Sequence, residues 1–148
     1  MPLRLEVVTI ERAVYSADDV DMVVVPGSEG VMGILPRHEP LIANLSSGAL
    51  EIVRGDEREI LAIGGGFVEV RGTHVVVMAD VAEAGEEIDV ERAERARKRA
   101  EKLLEETPSR EDARKALAAM RRAQVRIDVA RRRRQYRRRS EGAAQGKE

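Results

Sequence analysis

Hydrophobic and polar positions follow two different periods along this chain. Up to residue 84 the apolar residues come in short runs or alternate with polar ones, and residues 3–10, 20–25, 49–54, 59–63, 67–71 and 74–79 read as β-strands. Arg54-Gly55-Asp56-Glu57 and Arg71-Gly72-Thr73 fall between runs as hairpin turns. The alternation Glu51, Ile52, Val53, Arg54 gives one of these strands a wet face. Eight or more short strands are expected in about 84 residues, with no helical spacer long enough for a βαβ crossover. That pattern predicts an antiparallel β-sandwich or flattened barrel over residues 1–84.

The spacing then changes. Val90, Ala93, Ala96, Ala100, Leu103 and Leu104 recur every three or four residues, as do Ala113, Ala116, Leu117, Met120, Ala123, Ile127 and Ala130. Between the two stripes lies the breaker Glu106-Thr107-Pro108-Ser109, in which Ser109 is placed to cap a second helix with Asp112 three residues on. The expectation is an antiparallel two-helix hairpin over residues 85–139, making the chain α+β in sequence-separate parts. An alanine-rich stripe lets two helices approach closely but buries little area per residue at roughly 25 cal/mol/Å². A hairpin so built is held weakly and is free to dock, undock or extend. The last stretch, residues 140–148 (SEGAAQGKE), is small and polar and reads as a disordered tail.

Composition narrows the chemistry. Phe67, Tyr15 and Tyr136 are the only aromatic residues, too few for a base-stacking platform. Cysteine is absent, which removes disulfides, thiolate zinc sites and cysteine nucleophiles. His38 and His74 are the only imidazoles, so the sequence offers no catalytic site and an enzyme is not expected. Residues 1–10 lack the apolar block of a leader peptide, and the longest apolar runs fall far short of the ~20 residues of a spanning helix. The formal net charge of −1 conceals a strong polarity. The first 84 residues hold 6 Arg against 14 Asp and Glu, about −8, and the remainder holds 20 Arg and Lys against 13 acids, about +7.

The arginines admit two readings. A turn centred between Thr107 and Pro108 sets Ala93 opposite Arg122 and Asp89 opposite Arg126, with Arg92 and Arg99 near the same seam. Such a group either holds an anion, since Arg suits bidentate phosphate contact, or is a solvated face with ordinary ion pairs to Glu91, Glu94 and Glu101. Asp89 is then simply a helix N-cap. The run Arg131-Arg132-Arg133-Arg134-Gln135-Tyr136-Arg137-Arg138-Arg139 suits nucleic acid or, equally, an acidic protein surface. The lack of interleaved aromatics and the acidic first part weigh against nucleic acid, so a basic-arm nucleic-acid-binding protein stands as the alternative.

Three longer motifs carry a resemblance. Pro26-Gly27-Ser28-Glu29-Gly30-Val31-Met32-Gly33-Ile34-Leu35-Pro36-Arg37-His38-Glu39-Pro40-Leu41, Leu45-Ser46-Ser47-Gly48-Ala49-Leu50 and Gly64-Gly65-Gly66-Phe67-Val68-Glu69-Val70 closely resemble the epsilon subunit of bacterial F-type ATP synthase, in order and spacing over about residues 3–134. The resemblance implies a sandwich of about ten strands followed by two helices. It implies a non-catalytic rotor subunit of a proton-translocating synthase, peripheral to the cytoplasmic face of the bacterial plasma membrane. The sandwich would bind the gamma subunit and the ring of c subunits, with Glu29, Gly30, Val31 and Met32 facing the ring and His38 at gamma. The helices would act as an arm that permits ATP hydrolysis when folded down and inhibits it when extended among the alpha and beta catalytic subunits. The glycines Gly30 and Gly33 permit positive φ, while Pro36 and Pro40 stiffen the loop. Gly64-Gly65-Gly66 lacks the Lys-Ser/Thr of a phosphate loop and reads as a turn between strands.

A narrower resemblance covers Ile88-Asp89-Val90-Glu91-Arg92-Ala93, which is similar to the motif by which some bacterial epsilon subunits bind ATP on the folded hairpin. It implies a regulatory ATP site, with ATP alone or as its Mg²⁺ complex and no catalytic cofactor, formed by Glu83, Ile88, Asp89, Arg92, Ala93, Arg99, Arg122 and Arg126. In it the arginines would hold phosphates, Asp89 and Glu83 would accept from the adenine amino group or ribose, and Ala93 would leave room for the base. ATP bound only in the folded state would shift the arm toward that state. The dense basic run after Ala130 would favour the extended one.

Overall fold

A computed structural model describes residues 1–106 and 109–146. In chain order these form β1 (Leu3–Val8), β2 (Ala13–Val20), β3 (Met22–Gly27), β4 (Gly30–Ile34), β5 (Leu41–Arg54), β6 (Glu57–Arg71), β7 (His74–Ala79) and β8 (Ala82–Ala84). A 3-10 turn (Gly85–Glu87) then leads into α1 (Val90–Glu106) and α2 (Arg110–Gln145).

The strands join in the order β2-β1-β7-β6-β5-β3-β4, with β8 also on β6. All pairs are antiparallel except β1 with β7, a parallel pair that the expected antiparallel sandwich did not include. Among the described residues there are eight continuous strands rather than about ten, because β5 and β6 run through both layers as one hairpin of 14 and 15 residues. Its ladder skips between Leu45↔Gly66 and Ser47↔Gly64. Across that skip β6 changes partner, meeting β8 through residues 61–63 and β7 through residues 66–71. Gly65 and Gly66 hold φ of 84° and 119° there, and a Cβ on Gly66 would overlap the Met78 carbonyl. The glycine triplet is thus a kink inside one strand, not a turn between two.

One core fills the space between the layers. Leu3, Leu5 and Val7 of β1, Val23 and Val25 of β3, Leu50 and Ile52 of β5, Val68 of β6 and Val75 and Val77 of β7 are all wholly buried in it. Each set alternates with outward residues, which is the period-2 signal that the sequence carries. The exception is β2, half of whose sequence AVYSADDV is exposed and which is too polar to register as a strand.

The hairpin of helices is present. Ala93 and Ala100 of α1 and Ala116, Ala123 and Ala130 of α2 are buried, consistent with close helix approach. Ser109 caps α2, its hydroxyl accepting from Asp112 N at 3.2 Å; Thr107 and Pro108 lie outside the described residues. Leu103 and Leu117, both on the apolar stripes, are 57% and 45% exposed. A second small core of Ile60, Ala62 and Val129 seats α2 on the sandwich, with Ile88 and Tyr136 against it. The helix α2 runs on through Ser140 to Gln145, the stretch whose composition suggests disorder. Ala143, Ala144 and Gln145 are good helix formers, and adding turns to an existing helix avoids the nucleation cost. The last two residues of that tail lie outside the described ones.

Candidate functional site

The residues implied for a nucleotide site come from β8 (Glu83), the connector (Ile88, Asp89), α1 (Arg92, Ala93, Arg99) and α2 (Arg122, Arg126). Glu83, on β8 opposite Ala62 of β6, stands at the end of the sandwich. Arg126 of α2 donates from Nε and Nη2 to Glu83 Oε2 and Oε1 at 2.7 and 3.0 Å, a two-pronged clip between the helices and the sheet. Asp89 therefore does not face Arg126, as the turn arithmetic predicts; Glu83 takes that place. Asp89 instead caps α1, its Oδ1 accepting from Arg92 N at 3.1 Å. Its carbonyl accepts from Ala93 N. Ile88 packs beside Val129, and Ala93 is wholly buried. The structure thus joins Glu83 to Arg126 and Asp89 to the start of α1. Arg92, Arg99 and Arg122 are exposed, and among the described residues their side chains hold no ion pair or hydrogen bond. Arg99 lies with Arg95 and Lys98 around a shallow cationic hollow. Arg92, Arg99 and Arg122 thus carry guanidinium charge that an anion could meet without first displacing an acid.

The residues implied for partner contact lie on β4 and in the connections at its two ends. Gly27 and Gly30 pair across the β3–β4 hairpin, with Ser28 and Glu29 at its exposed tip. Gly30 has φ 144°, whereas Gly33 is not left-handed and the positive φ of the following loop falls on Arg37, at 69°. Val31 is 75% exposed, and Met32 is half-buried against the core. His38 is half-buried, and its Nδ1–H donates to the Glu39 carbonyl at 2.7 Å. One surface escaped the sequence reading. Phe67 lies between Asn44 and Met78 in the register, and Ile42, Phe67, Met78 and Val81 are all exposed large apolar residues. The signal was present, since Ile42, Phe67 and Met78 occupy outward positions of alternating strands where a solvated face would carry polar groups.

Among the described residues no three His, Asp or Glu side chains converge as a metal site would require, and no helix is long and apolar enough to cross a membrane.

Residues 2–85 match the ATP synthase delta/epsilon chain β-sandwich domain, and residues 86–131 match the long α-helix domain of the same chain. The ATP synthase epsilon chain of Herpetosiphon aurantiacus is 49% identical over 134 residues, covering 90% of this chain and 98% of that one. That of Carboxydothermus hydrogenoformans is 54% identical over 107 residues, covering 72% and 79%. Two solved structures share the fold. A chain of the Euglena gracilis mitochondrial ATP synthase (OSCP/F1/c-ring) superposes with TM-score 0.73 at 24% identity over 81% of this chain and 76% of that one. One from the central stalk/c-ring of the Tetrahymena thermophila enzyme gives 0.64 at 11% identity, covering 88% and 97%. Both domains are matched in order and nine tenths of the length aligns at near half identity, so the chain belongs to the ATP synthase delta/epsilon chain family.

Proposed function

We propose that this chain is a non-catalytic rotor subunit of a proton-translocating F-type ATP synthase, coupling ring rotation to the catalytic head and regulating ATP hydrolysis through its helical arm. The observation that carries the regulatory part is how thin the joint between arm and sandwich is. Its fully buried apolar core is Ile60, Ala62 and Val129, with Ala49, Ile88, Val125 and Tyr136 partly buried against it, and its polar contacts are led by the Glu83–Arg126 clip. Fully burying one Val contributes about 1.5–3 kcal/mol, so a ligand or partner of ordinary affinity can shift such a joint.

ATP is the ligand that the residue set favours. Arg92, Arg99, Arg122 and Arg126 supply donors for the phosphates, and Asp89 and Glu83 supply acceptors. Arg126 would have to be shared between Glu83 and a phosphate. Contacts made only in the folded state pull the arm down by at most the difference in affinity between the two states. With the arm lifted, the helices would reach the alpha and beta subunits and inhibit hydrolysis. On the sandwich, the tip Glu29–Met32, His38 and the apolar face of Ile42, Phe67, Met78 and Val81 support docking on gamma and the c ring. The subunit would then lie peripherally on the cytoplasmic face of the plasma membrane.

Two measurements test this. Titrating ATP into the isolated chain should give saturable heat, with Arg92→Ala or Arg122→Ala weakening binding by about 1.5–3 kcal/mol each; no heat up to millimolar ATP sinks the sensor role alone. Removing the helices from the assembled synthase should raise its ATP hydrolysis rate, and an unchanged rate sinks the inhibitory role.

A further inference from the structure

The arginine-rich end of α2 carries an expectation that it reaches for acidic partners elsewhere and so favours an extended arm. Its contacts are to the sandwich instead. Arg132 Nη1 and the Tyr136 hydroxyl both donate to Glu51 Oε1, at 3.2 and 2.8 Å. Glu51 is only 16% exposed, so this acceptor is largely shielded from water. The Arg58 guanidinium stands 5.9 Å from the centre of the Tyr136 ring. The neighbouring Arg133 lies 3.7 Å from Glu86. A Cβ on Gly85 would sit 3.0 Å from both Arg133 Cδ and the Ile60 carbonyl oxygen, so the connector is tightly packed here. Residues 132, 133 and 136 share one face at i, i+1 and i+4, so a single turn of helix makes the whole grip. Beyond it, Arg137, Ser140 and Ala143 stand over a cleft of about 1110 Å³ floored by Tyr15, Glu57 and Glu59.

We infer that residues 132–144 are a strap that fastens the helical arm in its folded-down position. The match to the family's helical domain ends at residue 131, just before the strap. Its polarity runs opposite to the charge-based expectation: the basic run adds hold to the folded state. The strap is gripped at one turn and open beyond it, so it peels from its C-terminal end. Because its bonds are ionic or charge-assisted, salt loosens it. The consequence for hydrolysis rests on the movable-arm reading above, whereas the fastening itself does not.

The test uses amide hydrogen exchange on the full chain, on a chain ending at Arg131 and on Glu51→Gln, at low and high salt. Truncation should speed exchange in residues 120–130 at least fivefold at low salt, with the difference shrinking in high salt and β1, β6 and β7 unaffected. Glu51→Gln, which keeps the chain length and the fold, should give most of the same acceleration. Tyr136→Phe, which keeps the ring under Arg58, should give a smaller part of it. Unchanged exchange in α2 for both the truncation and Glu51→Gln overturns the strap. In the assembled synthase the truncated chain should lower ATP hydrolysis by releasing the inhibitory arm. If exchange accelerates while hydrolysis responds neither to truncation nor to loss of the whole arm, the strap stands and the movable-arm reading fails.

Discussion

Replacing Arg126 by Ala cuts the clip between α2 and the sandwich, and its effect can be sized from the geometry. Both Glu83 oxygens accept from one guanidinium, at 2.7 and 3.0 Å, and the two side chains are 28% and 22% exposed. A fully exposed pair would contribute about 0–1 kcal/mol. Breaking a fully buried pair would cost about 3–5 kcal/mol, because the stranded charge stays dry. Glu83 keeps enough access to rehydrate, so the expected loss is about 1–2 kcal/mol, toward the lower part of the range for hydrogen bonds to charged groups. That multiplies the undocked fraction of the arm by about 5–30. A thiol probe reads this fraction directly, because the chain has no cysteine and Val129 of α2 is wholly buried where the arm meets the sandwich. A single Val129→Cys would react only when α2 lifts, and Arg126→Ala should raise its labelling rate by the stated factor. Glu83→Gln should do similarly, and the double variant should fall well short of the sum of the two. A change below twofold, or strict additivity, would refute the idea that this pair holds the arm.

Gly66→Ala should lower stability by at least about 2 kcal/mol, since its φ of 119° and the Met78 carbonyl both exclude a Cβ; a melting curve should show it, with Gly30→Ala, at 144° in open space, milder. Ser109→Ala removes the α2 cap and should cost about 1 kcal/mol, seen as faster amide exchange confined to the first turn of α2. Arg12 holds the Glu87 carboxyl below its ordinary 4.5 through a hydrogen bond, and Arg54 holds Asp19 below 3.8 in the same way. The unfolded chain then takes up these protons first, so the stability they confer is present above about pH 4.5 and is lost as the pH falls through the lower folded values. Urea midpoints should decline from pH 4.5 downward, and Arg54→Ala should remove part of that slope; a flat profile would contradict it. Burial pushes Tyr15 up to about 12, with Glu59 adding to the shift, so its stabilising effect should persist through pH 10 and fade above it, alongside a late rise in tyrosinate absorbance.

Most of the strands were legible because Leu3, Leu5, Val7, Val75 and Val77 alternate cleanly with outward residues. The polar β2 and the uninterrupted passage of β5 and β6 through both layers were not, since edge burial and tertiary bending leave little local signal. The parallel β1–β7 pair joins residues some 70 apart, which periodicity cannot express. At the site, Ser109 and Asp89 were readable as caps because caps are local chemistry. The Arg126 partner was not: a turn count places Asp89 opposite it, but the connector after β8 brings Glu83 there first. The role of Tyr136 was equally hidden, because a lone aromatic in a basic run gives no hint that Glu51, 85 residues earlier in the chain, lies beneath it.

The uninterrupted β5–β6 hairpin bears on mechanics as well as topology. With 14 residues in β5 at about 3.3 Å each, the ribbon extends for about 46 Å if straightened. Sliding one face of the sandwich past the other must therefore strain two covalent backbones rather than only slip side chains over one another. A foot plate stiffened this way would pass twisting load between whatever grips its two faces, while the lightly held helices above stay free of it.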